Sequence, residues 1–150
     1  MSPSHPEHIS VLLVEDNEDD VELTLRVFRQ YHLANHIHVV RDGAEALDCL
    51  FSEGTYANRN VCAQTKLILL DLKLPKVDGL EVLRRCKRDE RTKSIPVVIL
   101  TSSREEQDVV ESYKLGVNSY IVKPVDFHQF VEAVKQLNVY WLILNQGPAS

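Results

Sequence analysis

Residues 9–14 (ISVLLV) form a short apolar run rich in branched side chains that stops abruptly at Glu15 and Asp16. A buried strand reads this way when it reaches a solvent-filled edge. From Asp19 the apolar positions Val21, Leu25, Val27 and Phe28 fall mostly on one helical face, with Asp19, Asp20 and Glu22 crowded at the front, where the helix dipole favours negative charge. A helix to about Tyr31 is predicted. A second strand follows at 37–40, and Ala44, Ala46, Leu47, Leu50 and Phe51 mark a second helix beginning near Gly43.

Residues 52–65 (SEGTYANRNVCAQT) have no apolar period and carry small and amide side chains, the composition of a long surface loop. The run 66–70 (KLILL) is a third predicted strand ending at Asp71. DLKLPKVDG then supplies turn chemistry before a helix from about Leu80 to Arg88. A fourth strand, 97–100, ends at Thr101, Ser102 and Ser103. A helix over 105–115 follows, closed by Gly116 as C-cap. A fifth strand, 119–122, ends at Lys123 and Pro124. Asp126 then caps a last helix with Phe127, Phe130, Val131, Val134 and Leu137 on one face. Strands alternating with helices imply a parallel sheet covered on both faces by right-handed crossovers, a doubly wound α/β fold. With no repeat and no linker, the expected organisation is a tail at 1–8, one domain at 9–144 and a tail at 145–150.

Composition agrees with one globular domain: 150 residues, 44% hydrophobic and 26% charged. A chain of this length buries roughly 68–70% of its unfolded surface and needs no disulfide or structural metal. The net charge of −5 has the wrong sign for neutralising nucleic-acid phosphates. Cys49, Cys62 and Cys86 match neither a disulfide framework nor a metal knuckle and read as thiols of a reducing cytosol. No signal peptide is visible at the N-terminus and no apolar run reaches the ~20 residues that span a bilayer, so a cytoplasmic location is expected.

The chemistry lies in what terminates the strands: Glu15 and Asp16, Asp71, Thr101, and Lys123. In open α/β sheets ligands bind beyond the carboxyl ends of the strands where the winding reverses, so these residues are expected to converge in one crevice. Two carboxylates about 4 Å apart repel by roughly 4 kcal/mol at an effective dielectric near 20, and such a cluster invites a cation. All-oxygen ligation favours Mg²⁺ or Mn²⁺ over zinc. Asp71, before a Pro- and Gly-containing turn, suits an aspartate nucleophile toward phosphorus, with Lys123 and Thr101 as partners for phosphoryl oxygens.

The segments LLVEDNEDD, LILLDLKLPKVDG, VVILTSS and YIVKPVD resemble the receiver domain of two-component response regulators across about residues 9–137. The resemblance implies a flavodoxin-like five-stranded sheet of order 2-1-3-4-5 with five helices, and a signalling phosphoacceptor that is not a metabolic enzyme. It implies that Asp71 accepts a phosphoryl group from a histidine kinase and that Asp16 and Asp71 ligate Mg²⁺. Glu15 then acts through a metal-bound water, and Lys73 offers its backbone carbonyl. Thr101 and Tyr120 resemble the family's hydroxyl and aromatic switch pair, and Lys123 with Pro124 its lysine before a proline bond that is often cis. The long loop before the third strand, SYKLGVNSYIVKPVDFHQF and VYWL are similar to cyanobacterial phytochrome response regulators of the Rcp type. The implied donor is a phytochrome kinase, and the implied chain lacks an output domain. Lys73 departs from the family pattern at a position that influences water access, which leaves the hydrolysis rate open.

Other features have plainer readings. His32, His36 and His38 straddle a helix end and a strand without completing a metal set. Asp19, Asp20 and Glu22 complement a helix dipole and carry no assigned role. The apolar run 139–144 (VYWLIL) exceeds what one helix face can bury, so Tyr140, Trp141, Leu142 and Leu144 are candidates for a homodimer interface. Two rivals stand beside the signalling function. A Mg²⁺-dependent phosphatase with an aspartate nucleophile lacks its second aspartate, because Lys73 occupies that position. A flavodoxin-like cofactor binder lacks a phosphate loop after the first strand.

Overall fold

The structure, a computed structural model, describes residues 11–30, 36–57, 65–117 and 119–136. The expected tails at 1–8 and 145–150, and the apolar run 139–144, lie outside the described residues. In chain order the elements are β1 (Val11–Val14), α1 (Glu18–Gln30), β2 (Ile37–Val40), α2 (Gly43–Phe51), β3 (Leu67–Asp71) and α3 (Gly79–Arg88). They are followed by β4 (Val97–Thr101), α4 (Arg104–Ser112), β5 (Ser119–Val122) and α5 (Phe127–Gln136). All strand pairs are parallel, in the order β2-β1-β3-β4-β5. The doubly wound fold read from the alternation of strand and helix is therefore the fold observed.

The strands are continuous apolar runs because both faces of the sheet are covered. Successive side chains alternate between the faces. Leu12, Val14, Ile68, Leu70 and Ile99 pack with Phe51, Leu83 and Val110 of α2, α3 and α4. Val11, Leu13, Leu67, Leu69, Val98 and Leu100 pack with Phe28 of α1 and Phe130 and Val134 of α5. Phe28 and Phe130 meet at 4.9 Å between ring centroids. Fully burying each such side chain stabilises the fold by about 1.5–3 kcal/mol.

Each helix starts where a short polar side chain takes up an orphan N–H of the first turn. Asn17 accepts from Asp20 N, Asp42 from Glu45 N, Asp78 from Glu81 N, Ser103 from Glu106 N and Asp126 from Gln129 N.

Three details differ from the sequence reading. Within the stretch read as loop, Gly54–Tyr56 forms a 3-10 turn, because buried Tyr56 anchors it: the Tyr56 hydroxyl lies 2.8 Å from His38 Nε2 and donates to Glu45 Oε2 at 3.0 Å. Helix α4 ends at Ser112 and not at Leu115. There Tyr113 N and Lys114 N bond to Val110 O and Glu111 O, tightening the last turn, and Lys114 takes a φ of +51°. Cys49 is disulfide-bonded, against the expectation of three thiols, while Cys86 is a buried free thiol. Proximity in the fold, not spacing along the chain, decides such pairing.

Gly79 opens α3 directly behind the end of β3. Its N–H donates to Leu72 O at 2.9 Å, and a Cβ there would lie 2.4 Å from Asp71 O and 2.6 Å from Leu72 Cα. Only glycine allows this approach. Gly79→Ala is expected to lower stability in urea denaturation by about 1–3 kcal/mol through backbone displacement next to Asp71. An unchanged midpoint would contradict the close approach.

Candidate functional site

Strand register alone assembles the site. Val14 pairs with Leu70 across β1 and β3, so Glu15 and Asp71 are side by side one step beyond. Asp71 pairs with Leu100, Thr101 with Val122, and Lys123 N extends the ladder by donating to Thr101 O at 2.8 Å. Each residue in question thus lies at the carboxyl edge of the sheet. The winding reverses between β1 and β3, which is where such sheets bind ligands.

Glu15, Asp16 and Asp71 bring carboxylate oxygens within 4.8 Å of one another. Glu15 and Asp71 are buried and Asp16 is exposed, so the cluster meets solvent at Asp16. That opening adjoins a cavity of about 420 Å³ lined by Asp16, Lys73, Pro75 and Asp78, among others. A set of oxygen donors with no His or Cys fits a hard divalent cation, and no other such cluster occurs among the described residues. Of the three histidines considered, His38 is engaged with Tyr56, and His32 lies outside the described residues.

Lys123 balances the charge from the other side. Its Nζ lies 3.0 Å from Glu15 Oε1, 3.2 Å from Asp71 Oδ2 and 3.0 Å from Asp20 Oδ2. Only the contact to Asp20 has hydrogen-bond alignment; Glu15 Oε1 has no hydrogen-bond partner among the described residues. Burial works against the Lys123 charge, but the contacts to Glu15 and Asp20 and the charge of Asp71 outweigh it and raise its pKa. Burial, with the neighbouring Asp71, pushes Glu15 up to about 7 despite Lys123. The Lys123–Pro124 bond is cis, as the resemblance implied.

Thr101 is completely buried and its Oγ1 has no hydrogen-bond partner among the described residues; the same holds for the Tyr120 hydroxyl. Tyr120 pairs with Ile99, and Thr101 is two positions further along β4, so both side chains lie on the α4 face of the sheet. Burial and then the charges of Glu111 and Asp108 on α4 raise the Tyr120 pKa. Lys73 N donates to Asp71 Oδ1 at 3.4 Å, and the Lys73 side chain reaches 3.1 Å from Glu106 on α4. Glu106 in turn accepts from Ser102 N and Ser102 Oγ, each at 3.0 Å. The proposed interface residues Tyr140, Trp141, Leu142 and Leu144 lie outside the described residues.

Three participants escaped the sequence reading. Asp20, assigned only to a helix dipole, touches Lys123. Glu106 ties the loops after β3 and β4 together. Gln129 pins the turn that carries Lys123: its Oε1 accepts from Val122 N, and its Nε2 donates to Val122 O and Pro124 O. No local pattern marks any of them, because each acts on residues that adjoin it only in the fold.

Residues 11–135 match the model of the response regulator receiver domain, and the chain belongs to that family of signalling phosphoacceptors. Within it, the bacteriophytochrome response regulator AtBRR is 55% identical, with a TM-score of 0.84 over 94% of this chain and all of that one (100%). The phosphorylated cyanobacterial phytochrome response regulator RcpA is 43% identical, with a TM-score of 0.71 over 90% of this chain and 94% of that one. Rcp1 from Synechocystis sp. is 39% identical over 93% of this chain and 93% of that one; the Mn²⁺-bound form of Rcp1 has a TM-score of 0.70 over 93% of this chain and 97% of that one. The chain is thus a receiver similar to phytochrome response regulators, and the phosphatase and flavodoxin-like alternatives give way to it. No helix among the described residues is long and apolar enough to cross a membrane.

A carboxyl whose folded pKa, about 7, lies above its ordinary 4.5 holds its proton more tightly folded than unfolded. The folded state therefore gains below that range and loses the gain as pH rises through about 7. In chelator-treated protein, stability is expected to fall by roughly 1–3 kcal/mol between about pH 4.5 and 8, and Glu15→Gln to flatten the fall. A wild-type profile that rises over this window would refute the assignment.

Proposed function

We propose that Asp71 accepts a phosphoryl group from the phosphohistidine of a histidine kinase of the phytochrome type, in a Mg²⁺-dependent reaction in the cytoplasm. The observation that carries this reading is the buried Asp71 carboxylate set between an oxygen-donor cluster and the Lys123 ammonium. An Asp71 oxygen attacks phosphorus and forms the new P–O bond. The P–N bond of the donor breaks, its electron pair leaving with the imidazole nitrogen, and the product is an acyl phosphate on Asp71. Asp16 and Asp71 would hold the Mg²⁺ directly, with Glu15 through water and Lys73 through its carbonyl. The ion supplies positive charge against the phosphoryl oxygens.

Lys123 then holds one phosphoryl oxygen as a point charge and Thr101 donates its hydroxyl to another. The buried Thr101 hydroxyl, without a partner among the described residues, supports this role, since an incoming acceptor satisfies a donor whose desolvation otherwise costs about 1–3 kcal/mol. Tyr120 follows Thr101 on the same face, and the surface of α4 and β5 changes its affinity for a partner. Mn²⁺ serves in place of Mg²⁺ with the same donor set. Incubation with acetyl phosphate and Mg²⁺ is expected to add one phosphoryl mass to wild type and none to Asp71→Asn by intact-mass spectrometry. An adduct on both proteins, or on neither, would refute the acceptor.

Two copies pair through the apolar residues Tyr140, Trp141, Leu142 and Leu144, a reading that rests on the sequence 139–144. Sedimentation at micromolar concentration is expected to show a dimer for wild type and a monomer for Trp141→Glu. A monomeric wild type, with or without phosphorylation, would remove the proposal.

A further inference from the structure

Three carboxylates share one ammonium, yet they are not equivalent. Glu15 and Asp71 belong to the cluster that suits a cation, whereas Asp20 lies outside it on the first turn of α1. Asp20 also accepts the one aligned hydrogen bond that the Lys123 side chain donates among the described residues, across 103 positions of sequence. The Asp20 backbone is fixed by the bond from its N–H to Asn17 Oδ1, and the helix start favours its negative charge. An ammonium has three N–H groups and no acceptor. While Asp20 holds one of them, that donor is not free for an incoming phosphoryl oxygen.

We propose that Asp20 is a positioning residue that restrains Lys123, withholding its ammonium from the phosphoryl group and so weakening the phosphorylated state. The inference rests on Asp71 being the acceptor. Two effects of Asp20 act in the same direction: it occupies a donor of Lys123, and it places a further negative charge beside a site that must take up an anion. A residue that merely oriented Lys123 for catalysis would act in the opposite direction, so the sign of the effect is decisive. Charge at the site is adjusted here from a helix that carries none of the other participants, which allows the phosphorylated state to be tuned without altering acceptor, cation ligands or lysine.

The test is titration with beryllofluoride, a phosphoryl mimic, at fixed Mg²⁺, followed by ¹⁹F NMR, with circular dichroism to verify folding. Asp20→Asn keeps the shape and removes the charge; it is expected to lower the half-saturating concentration about three- to tenfold, with Asp20→Ser changing it in the same direction. Asp20→Glu should restore the wild-type value. In a Lys123→Gln background the same Asp20→Asn change should have no more than a small fraction of that effect, because the restraint acts through the ammonium. Binding that is weakened or unchanged by Asp20→Asn, or improved equally without Lys123, overturns the restraint while leaving Asp71 as acceptor. A wild type that binds no beryllofluoride and forms no acetyl phosphate adduct overturns the acceptor and the restraint together.

Discussion

Parallel pairing of β1 with β3, in a register that sets Val14 against Leu70, forces the carboxylates of Glu15 and Asp71 together in a buried place. Charges at about 4 Å repel by roughly 4 kcal/mol at an effective dielectric near 20, and Asp16 adds a third. Lys123 offsets part of this, and burial beside Asp71 raises the Glu15 pKa to about 7, so that its carboxyl takes up a proton more readily than an exposed one. Buried ion pairs of this kind seldom stabilise a fold, because desolvation consumes most of the Coulomb gain. The two apolar layers on either side of the sheet must carry that cost. The site is left short of positive charge, so binding of a cation or a rearrangement of Lys123 has a large local effect.

From there the structure offers two routes toward α4. One is polar: Lys73 beside the acceptor reaches Glu106, and Glu106 accepts from Ser102 next to Thr101. Burial opposes the Glu106 charge, but the bonds from Ser102 and Lys73 outweigh it and lower its pKa. The other route is steric, through Thr101 and Tyr120 on a common face beneath α4. Both hydroxyls are buried without a hydrogen-bond partner among the described residues, an arrangement that costs desolvation and that an arriving acceptor relieves. The loops after β3 and β4 are therefore tied to each other through Glu106.

The fold was legible because a sheet covered on both faces writes β1, β3 and β4 as unbroken apolar runs, and because β1, β3, β4 and β5 each stop at a polar residue of the site. Glu15, Asp71, Thr101 and Lys123 could be read off as strand ends without knowing the register. Asp20 could not: an acid in the first helical turn is fully accounted for by the dipole, and nothing local shows that Lys123 comes to rest beside it. Gln129 and Glu106 were hidden for the same reason, since an amide or acid on a helix surface is ordinary until its partners are known. Tyr56 was lost in a stretch without apolar period, where one buried aromatic leaves no repeat. The early end of α4 turned on Lys114 adopting a left-handed conformation that its side chain does not advertise.

How a charge change is transmitted depends on what cannot move. Lys123 N is tied to Thr101 O, and Gln129 clasps Val122 N, Val122 O and Pro124 O from α5, so the backbone around the lysine is held from both neighbouring elements. A turn left loose would absorb a new phosphoryl charge by shifting as a whole, and nothing would reach β4. With the turn clasped, the groups left to answer under the proposed phosphorylation are the Lys123 side chain among its carboxylates and the Thr101 hydroxyl, which has no hydrogen-bond partner among the described residues. On the proposal that Asp71 is the acceptor, a rigid lysine turn beside a threonine hydroxyl with no partner among the described residues is the arrangement that would convert a charge change at Asp71 into displacement on the α4 face.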